Sequence, residues 1–109
     1  MLTAQKMIHF NPESHQLDVR IDHANFEGSS ISSFRDEIGS LRADDVETVA
    51  VDLERVNCMD SSGLSALLDL KRQFDKAAAT FSLKNVRPAV GNVIAILGAA
   101  EFLNFQSSN

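Results

Sequence analysis

Val46-Glu47-Thr48-Val49-Ala50-Val51-Asp52-Leu53, followed after a short link by Asp60-Ser61-Ser62-Gly63-Leu64, decides how this chain folds. Val49, Ala50 and Val51 are consecutive apolar residues, the pattern of a strand buried on both faces in a sheet covered by helices. From Leu64 onward the apolar residues take helical spacing, at Leu67, Leu68, Phe74 and Ala78. Asp60–Gly63 therefore falls where a strand hands over to a helix. The first turn of a helix has free backbone N–H groups and a partial positive charge. A phosphate on a serine there is electrostatically well placed. This points to a phosphoserine switch rather than a catalytic centre.

Upstream, Met7, Ile8 and Phe10 form a short apolar cluster, and Asn11-Pro12-Glu13-Ser14 is a turn signal. Leu17, Val19 and Ile21 then alternate with polar residues, so the pair reads as a hairpin whose second strand has one wet face. Asn25 to Ser30 reads as a polar loop that ends in a serine cap. Ile31, Phe34, Ile38 and Leu41 recur at helical spacing. Asp44-Asp45 reads as a solvated loop.

Downstream, Phe81 and Leu83 alternate with Ser82 and Lys84 as a strand. Pro88 suits the first turn of a helix with Val90, Val93, Ile94 and Leu97 as its stripe, and Gly98 stops it. Phe102, Leu103 and Phe105 read as a final short strand. The expected fold is one α/β domain over 1–109, with a core at 6–105 and a frayed tail at 106–109. Its mixed sheet joins an antiparallel N-terminal hairpin to parallel strands under about three helices.

Composition narrows the function. The 109 residues hold one domain's core, and 44% are hydrophobic. A net charge of -5 argues against direct nucleic-acid binding and suits a basic partner surface. The lone Cys58 excludes a disulfide framework or cysteine metal cluster and suits a reducing cytoplasm. It reads as a small buried apolar residue. No stretch is long enough to insert in a membrane, and no signal-peptide core precedes Phe10. His9, His15 and His23 fit no ordinary metal spacing. No phosphate-cradling Gly-Lys-Ser/Thr loop is present, although this leaves nucleotide binding open; no metal or cofactor is expected.

The stretch Val49–Leu53, then Asn57-Cys58-Met59-Asp60-Ser61-Ser62-Gly63-Leu64 with Leu67-Leu68, resembles the signature of STAS domains. These are the bacterial anti-sigma factor antagonists (anti-anti-sigma factors) and their relatives. Asn85-Val86-Arg87-Pro88-Ala89-Val90, running on through Ile94, Leu97 and Gly98 to Phe102, is similar to that family's third-helix region. The resemblance is specific over Val46–Phe105. Asp22–Gly28 stands where many members carry a Gly-Glu-Leu-Asp-like segment.

The resemblance implies a protein-binding switch with no enzymatic activity of its own. Its unphosphorylated form binds an anti-sigma factor that is itself a serine kinase of the histidine-kinase-like ATPase type, and so releases a sigma factor. Phosphorylation of the serine after the aspartate, Ser61 here, ends the complex, and a PP2C-type phosphatase resets it. Asp60, Ser61, Ser62, Gly63 and Leu64 form the expected switch and partner surface on a cytoplasmic monomer or weak dimer. Within this assignment Ser62 is the neighbouring cap or a contact, Asp60 orients a serine hydroxyl, and Gly63 leaves room for a partner's backbone. The alternative is a STAS subunit or scaffold of a lipid-transport complex or stressosome.

Two other classes compete on the residues alone. A serine hydrolase needs a Gly-x-Ser-x-Gly turn and a base beside the serine, and the tetrapeptide lacks that turn. A phosphoaspartate receiver using Asp52 needs an acidic cluster after the first strand to hold magnesium, and Met7–Phe10 offers none.

Overall fold

The computed structural model describes residues 8–39, 41, 45–75, 78–99 and 103. In chain order the elements are β1 (Ile8–Asn11), β2 (Gln16–Arg20), β3 (Asn25–Phe26), α1 (Ser29–Gly39), β4 (Thr48–Asp52), β5 (Cys58–Met59), α2 (Ser61–Asp75), β6 (Thr80–Lys84) and α3 (Pro88–Ile96).

The predicted hairpin forms. The Asn11 side chain accepts the Glu13 N–H at 2.9 Å and so closes the turn, and Ile8 pairs antiparallel with Val19. The sheet runs β1-β2-β4-β6, with β2, β4 and β6 parallel. Leu17, Val49 and Phe81 share one register row, and Val19, Val51 and Leu83 another. This face meets the buried residues of the helices in a single core, which includes Phe34, Leu67, Phe74 and Ile94. α1 and α2 also pack on each other.

Val49, Ala50 and Val51 are all buried, as expected, but the face that carries Ala50 is otherwise polar. Ala50 points away from the core cluster, in register with Asp18 and Ser82. It is nonetheless only 4% exposed. Long neighbours shelter it: His9, Asp18, Arg20, Asp52 and Lys84 wall a groove of about 260 Å³ above it. Among the described residues no helix lines that groove, so the triplet is buried on both faces although the helices of the core meet only one.

Helix ends also differ from the pattern. α2 is described over Ser61–Asp75, and Ala78, expected within it, stands in a turn. Ala78 has a left-handed φ of 59°; its N–H bonds the Asp75 carbonyl while the Ala79 N–H bonds that of Phe74. This terminator normally uses glycine. α3 ends in the same way at Gly98, with φ 73°, as expected, and Pro88 opens it. Leu41 lies beyond α1, where Gln73 Nε2 donates to the Ile38 carbonyl at 3.1 Å. Of the expected final strand, Phe102 and Phe105 lie outside the described residues. Leu103 is buried in a turn, its N–H bonded to the Ala99 carbonyl at 3.0 Å. Met7, Asp44 and the 106–109 tail also fall outside the described residues.

Candidate functional site

Parallel strands bring their C-terminal ends to one edge, and loops at that edge carry sites in such folds. Here β4 and β6 deliver the loops after Asp52 and Lys84, which tie together. Asp52 Oδ1 accepts the Glu54 N–H at 2.9 Å and Asn85 Nδ2 at 3.1 Å. Arg87 Nε donates to the Glu54 carbonyl at 2.6 Å.

The segment Asn25–Gly28, read from sequence as a polar loop, is a structural support. Asn25-Phe26 pairs parallel with Cys58-Met59 in a separate two-stranded sheet. The Ala24 carbonyl accepts the N–H groups of Asn57 at 2.8 Å and Cys58 at 3.1 Å. Phe26 is fully buried and meets Phe34 of α1 edge-to-face, with centroids 5.1 Å apart. Nearby, Arg55 pairs with Asp22 at 2.8 Å and holds that carboxyl below its usual range. Two-residue strands carry no periodicity, which is why the sequence hid them. The available signal was one aromatic residue isolated in a polar stretch.

From Met59 the chain turns directly into α2, and Asp60 is the cap of that helix. Its Oδ1 accepts the Ser62 N–H at 3.0 Å, the Gly63 N–H at 3.1 Å and the Ser62 hydroxyl at 2.5 Å. Its carbonyl accepts the Leu64 N–H at 3.1 Å, the first helical bond. The Ser62 hydroxyl, then the Gly63 N–H, lower the Asp60 pKa by stabilising the carboxylate. The orphan donors expected to receive a phosphate are therefore partly taken already. Asp60 orients Ser62 rather than Ser61, and Ser62 is a contact of the cap rather than the cap itself. Ser61, the first residue of α2, is exposed, and its hydroxyl has no hydrogen-bond partner among the described residues.

Gly63 serves the chain's own packing. A Cβ there would collide with the Phe26 carbonyl, with Met59 Cγ at 2.6 Å and with Phe26 Cδ2 at 2.9 Å. This places α2 against the two-stranded sheet, a role that the sequence reading had given to a partner's backbone. Leu64 is 4% exposed and belongs to the core. Of the five expected residues, Asp60, Ser61 and Ser62 reach solvent, while Gly63 and Leu64 set where they stand.

Cys58 is half-buried rather than apolar-packed. Its thiol donates to Asn25 Oδ1 at 2.8 Å. Desolvation, then the Glu27 carboxylate, raises its pKa and keeps it protonated. No imidazole bonds either serine hydroxyl among the described residues; the His15 ring meets the Asp45 carbonyl, before β4 begins. Lys71 and Arg72 pair with Asp75 and Asp69 on the α2 surface. No described helix is long and apolar enough to cross a membrane.

Comparison with curated proteins found no match. Several solved structures share the fold, among them the following three. SpoIIAA, an anti-sigma factor antagonist, matches in its unphosphorylated form with TM-score 0.65 and 21% identity, over 86% of this chain and 80% of that one. The phosphorylated form of SpoIIAA, a Bacillus cell fate determinant, matches with TM-score 0.61 and 21% identity, over 87% and 84%. The murine anion transporter Slc26a9 matches with TM-score 0.69 and 21% identity, over 92% of this chain but only 18% of the transporter. The family model for the STAS domain matches residues 14–109, well beyond the Val46–Phe105 stretch that carried the resemblance. The parallel sheet, the helix that starts at Asp60-Ser61 and this match agree: the chain belongs to the STAS domain family.

Proposed function

We propose that this chain is a phosphorylation-switched binder without catalytic activity. Unphosphorylated, it binds an anti-sigma factor that is also a serine kinase, and a sigma factor is released. Phosphate on Ser61 ends the complex, and a PP2C-type phosphatase restores it in the cytoplasm. The observation that carries this reading is the state of Ser61. A serine kept only to cap a helix spends its oxygen on backbone N–H groups. Asp60 does that work here, and the exposed Ser61 hydroxyl is left over. The carboxylate beside the serines is a weak base because its hydrogen bonds favour the charged form, which supports a substrate rather than a hydrolase.

Phosphate adds about -1.5 to -2 charge. Burying an uncompensated ion in an interface costs several kcal/mol. Release then comes from desolvation and repulsion at the interface, with little refolding of this chain. Co-purification from the native cell identifies the partner, and a membrane ATPase in place of a kinase would favour the lipid-transport alternative. With that kinase, Ser61→Ala should stay unphosphorylated and bound, while Ser61→Asp should bind at least about tenfold more weakly, a cost of about 1.4 kcal/mol. Equal binding by both variants would end the switch reading.

A further inference from the structure

Asp60-Ser61-Ser62 shows two adjacent hydroxyls to any approaching enzyme, and both residues are exposed. Access does not choose between them; hydrogen bonding does. The Ser62 hydroxyl donates its only proton to Asp60 Oδ1 at 2.5 Å, and the same oxygen holds the Ser62 and Gly63 N–H groups. Ser62 is thus closed into the cap from both its backbone and its side chain. Ser61 stands one residue earlier and is outside that ring. We infer that Asp60 is a specificity-determining residue, which directs phosphoryl transfer to Ser61 by tying down the Ser62 hydroxyl. This rests on the phosphoswitch reading above.

The chemistry gives the bond its effect. In transfer from a nucleoside triphosphate, the serine oxygen bonds the γ-phosphorus as the bond to the nucleoside diphosphate breaks. The hydroxyl proton passes to a base on the kinase. The Ser61 hydroxyl has no hydrogen-bond partner among the described residues. For Ser62 the kinase must first take the hydroxyl away from Asp60. The product would also set a phosphate beside the carboxylate that had held the hydroxyl, a like-charge contact. Asp60 touches no reacting atom at Ser61, so it positions and selects rather than catalyses.

Asp60→Asn keeps an acceptor oxygen at the cap, whereas Asp60→Ala removes it. The full chain and both variants are incubated with ATP and the co-purified serine kinase, and phosphate is mapped by mass spectrometry. The expected result is phosphate at Ser61 in the parent and in Asp60→Asn. In Asp60→Ala, the Ser62 share should rise about tenfold or more, which corresponds to about 1.4 kcal/mol of lost discrimination. Phosphate confined to Ser61 in Asp60→Ala overturns the inference and leaves the switch reading standing. Phosphate on neither serine of the parent overturns both. On the free protein, the Ser62 and Gly63 amide shifts should titrate together with the Asp60 carboxyl, and this titration should vanish in both variants. Amides that ignore the Asp60 titration also overturn the inference, whether or not Asp60→Ala folds well enough for the kinase assay.

Discussion

α1 begins at Gly28-Ser29-Ser30 and α2 at Asp60-Ser61-Ser62-Gly63, so two helices start on paired serines with different neighbours. In α1 the Ser30 hydroxyl turns back on its own loop. It accepts the Glu27 N–H at 3.0 Å and meets the Asn25 and Glu27 carbonyls at 2.9 and 2.8 Å. The residue before that pair is Gly28, which has no side chain to cap the helix. In α2 a carboxylate precedes the pair and takes over the capping, which leaves the Ser61 hydroxyl without a partner among the described residues. The glycines differ as well. Gly28 supplies a left-handed φ of 62° in open space, whereas Gly63 supplies space against Phe26. Identical serine pairs become a brace in one case and a presented hydroxyl in the other, and their neighbours decide which.

Phe26 lies between the two starts, with its ring on Phe34 of α1 and its carbonyl against Gly63 of α2. Phe26→Ala should therefore disturb both, at a cost of about 3–5 kcal/mol in urea unfolding. Amide shifts should move at residues 29–31 and at 61–64. Shifts confined to α1 would show that the two starts are independent.

The glycines separate the two mechanisms at a smaller scale. Gly63→Ala should cost about 1–3 kcal/mol through overpacking. Gly28→Ala should cost about 1–2 kcal/mol through the left-handed backbone alone. Asparagine tolerates that conformation, so Gly28→Asn should recover part of the loss while Gly63→Asn should be worse than Gly63→Ala. Chemical denaturation of the four variants checks this. Recovery by asparagine at both positions would remove the steric account of Gly63.

The same contrast explains how much could be read before the fold was in view. The hairpin, α1, β4, β6 and α3 rest on periodicity and turn chemistry sustained over several residues, and each of them forms. At the ends the pattern overreached, since Leu41 lies beyond α1 and Leu97, expected on the stripe of α3, lies beyond that helix and is half exposed. Leu64 and Leu67 showed that a helix follows Asp60. The division of labour within Asp60–Gly63 was not legible, because one tetrapeptide allows either serine, or the aspartate, to cap. Only the direction of Asp60 Oδ1 decides it. Gly63 was equally ambiguous, since its neighbour Phe26 is remote in sequence and sits on a strand of two residues. Ala50 is buried, as its place between Val49 and Val51 implied, but adjacency to them says nothing about which residues shelter it.

The smallest effect concerns the carboxylate that distinguishes α2 from α1. The Ser62 hydroxyl and the Gly63 N–H hold the folded Asp60 pKa below its unfolded value. A group of that sign adds stability above its unfolded pKa, about 3.9, and loses it as pH falls through the folded value. The stability gap between the parent and Asp60→Ala should therefore be full at pH 7, begin to close near pH 4 and narrow further below. Asp22, whose pKa is lowered by Arg55, titrates alike in both proteins and cancels in the difference. Ser30→Ala at the other helix start removes no carboxylate, so its gap should stay level across the same range. Urea midpoints at pH 7, 4 and 3 read both gaps. A level gap for Asp60→Ala would mean that a neutral aspartic acid caps α2 as well as its anion does, and the charge would no longer separate the two starts.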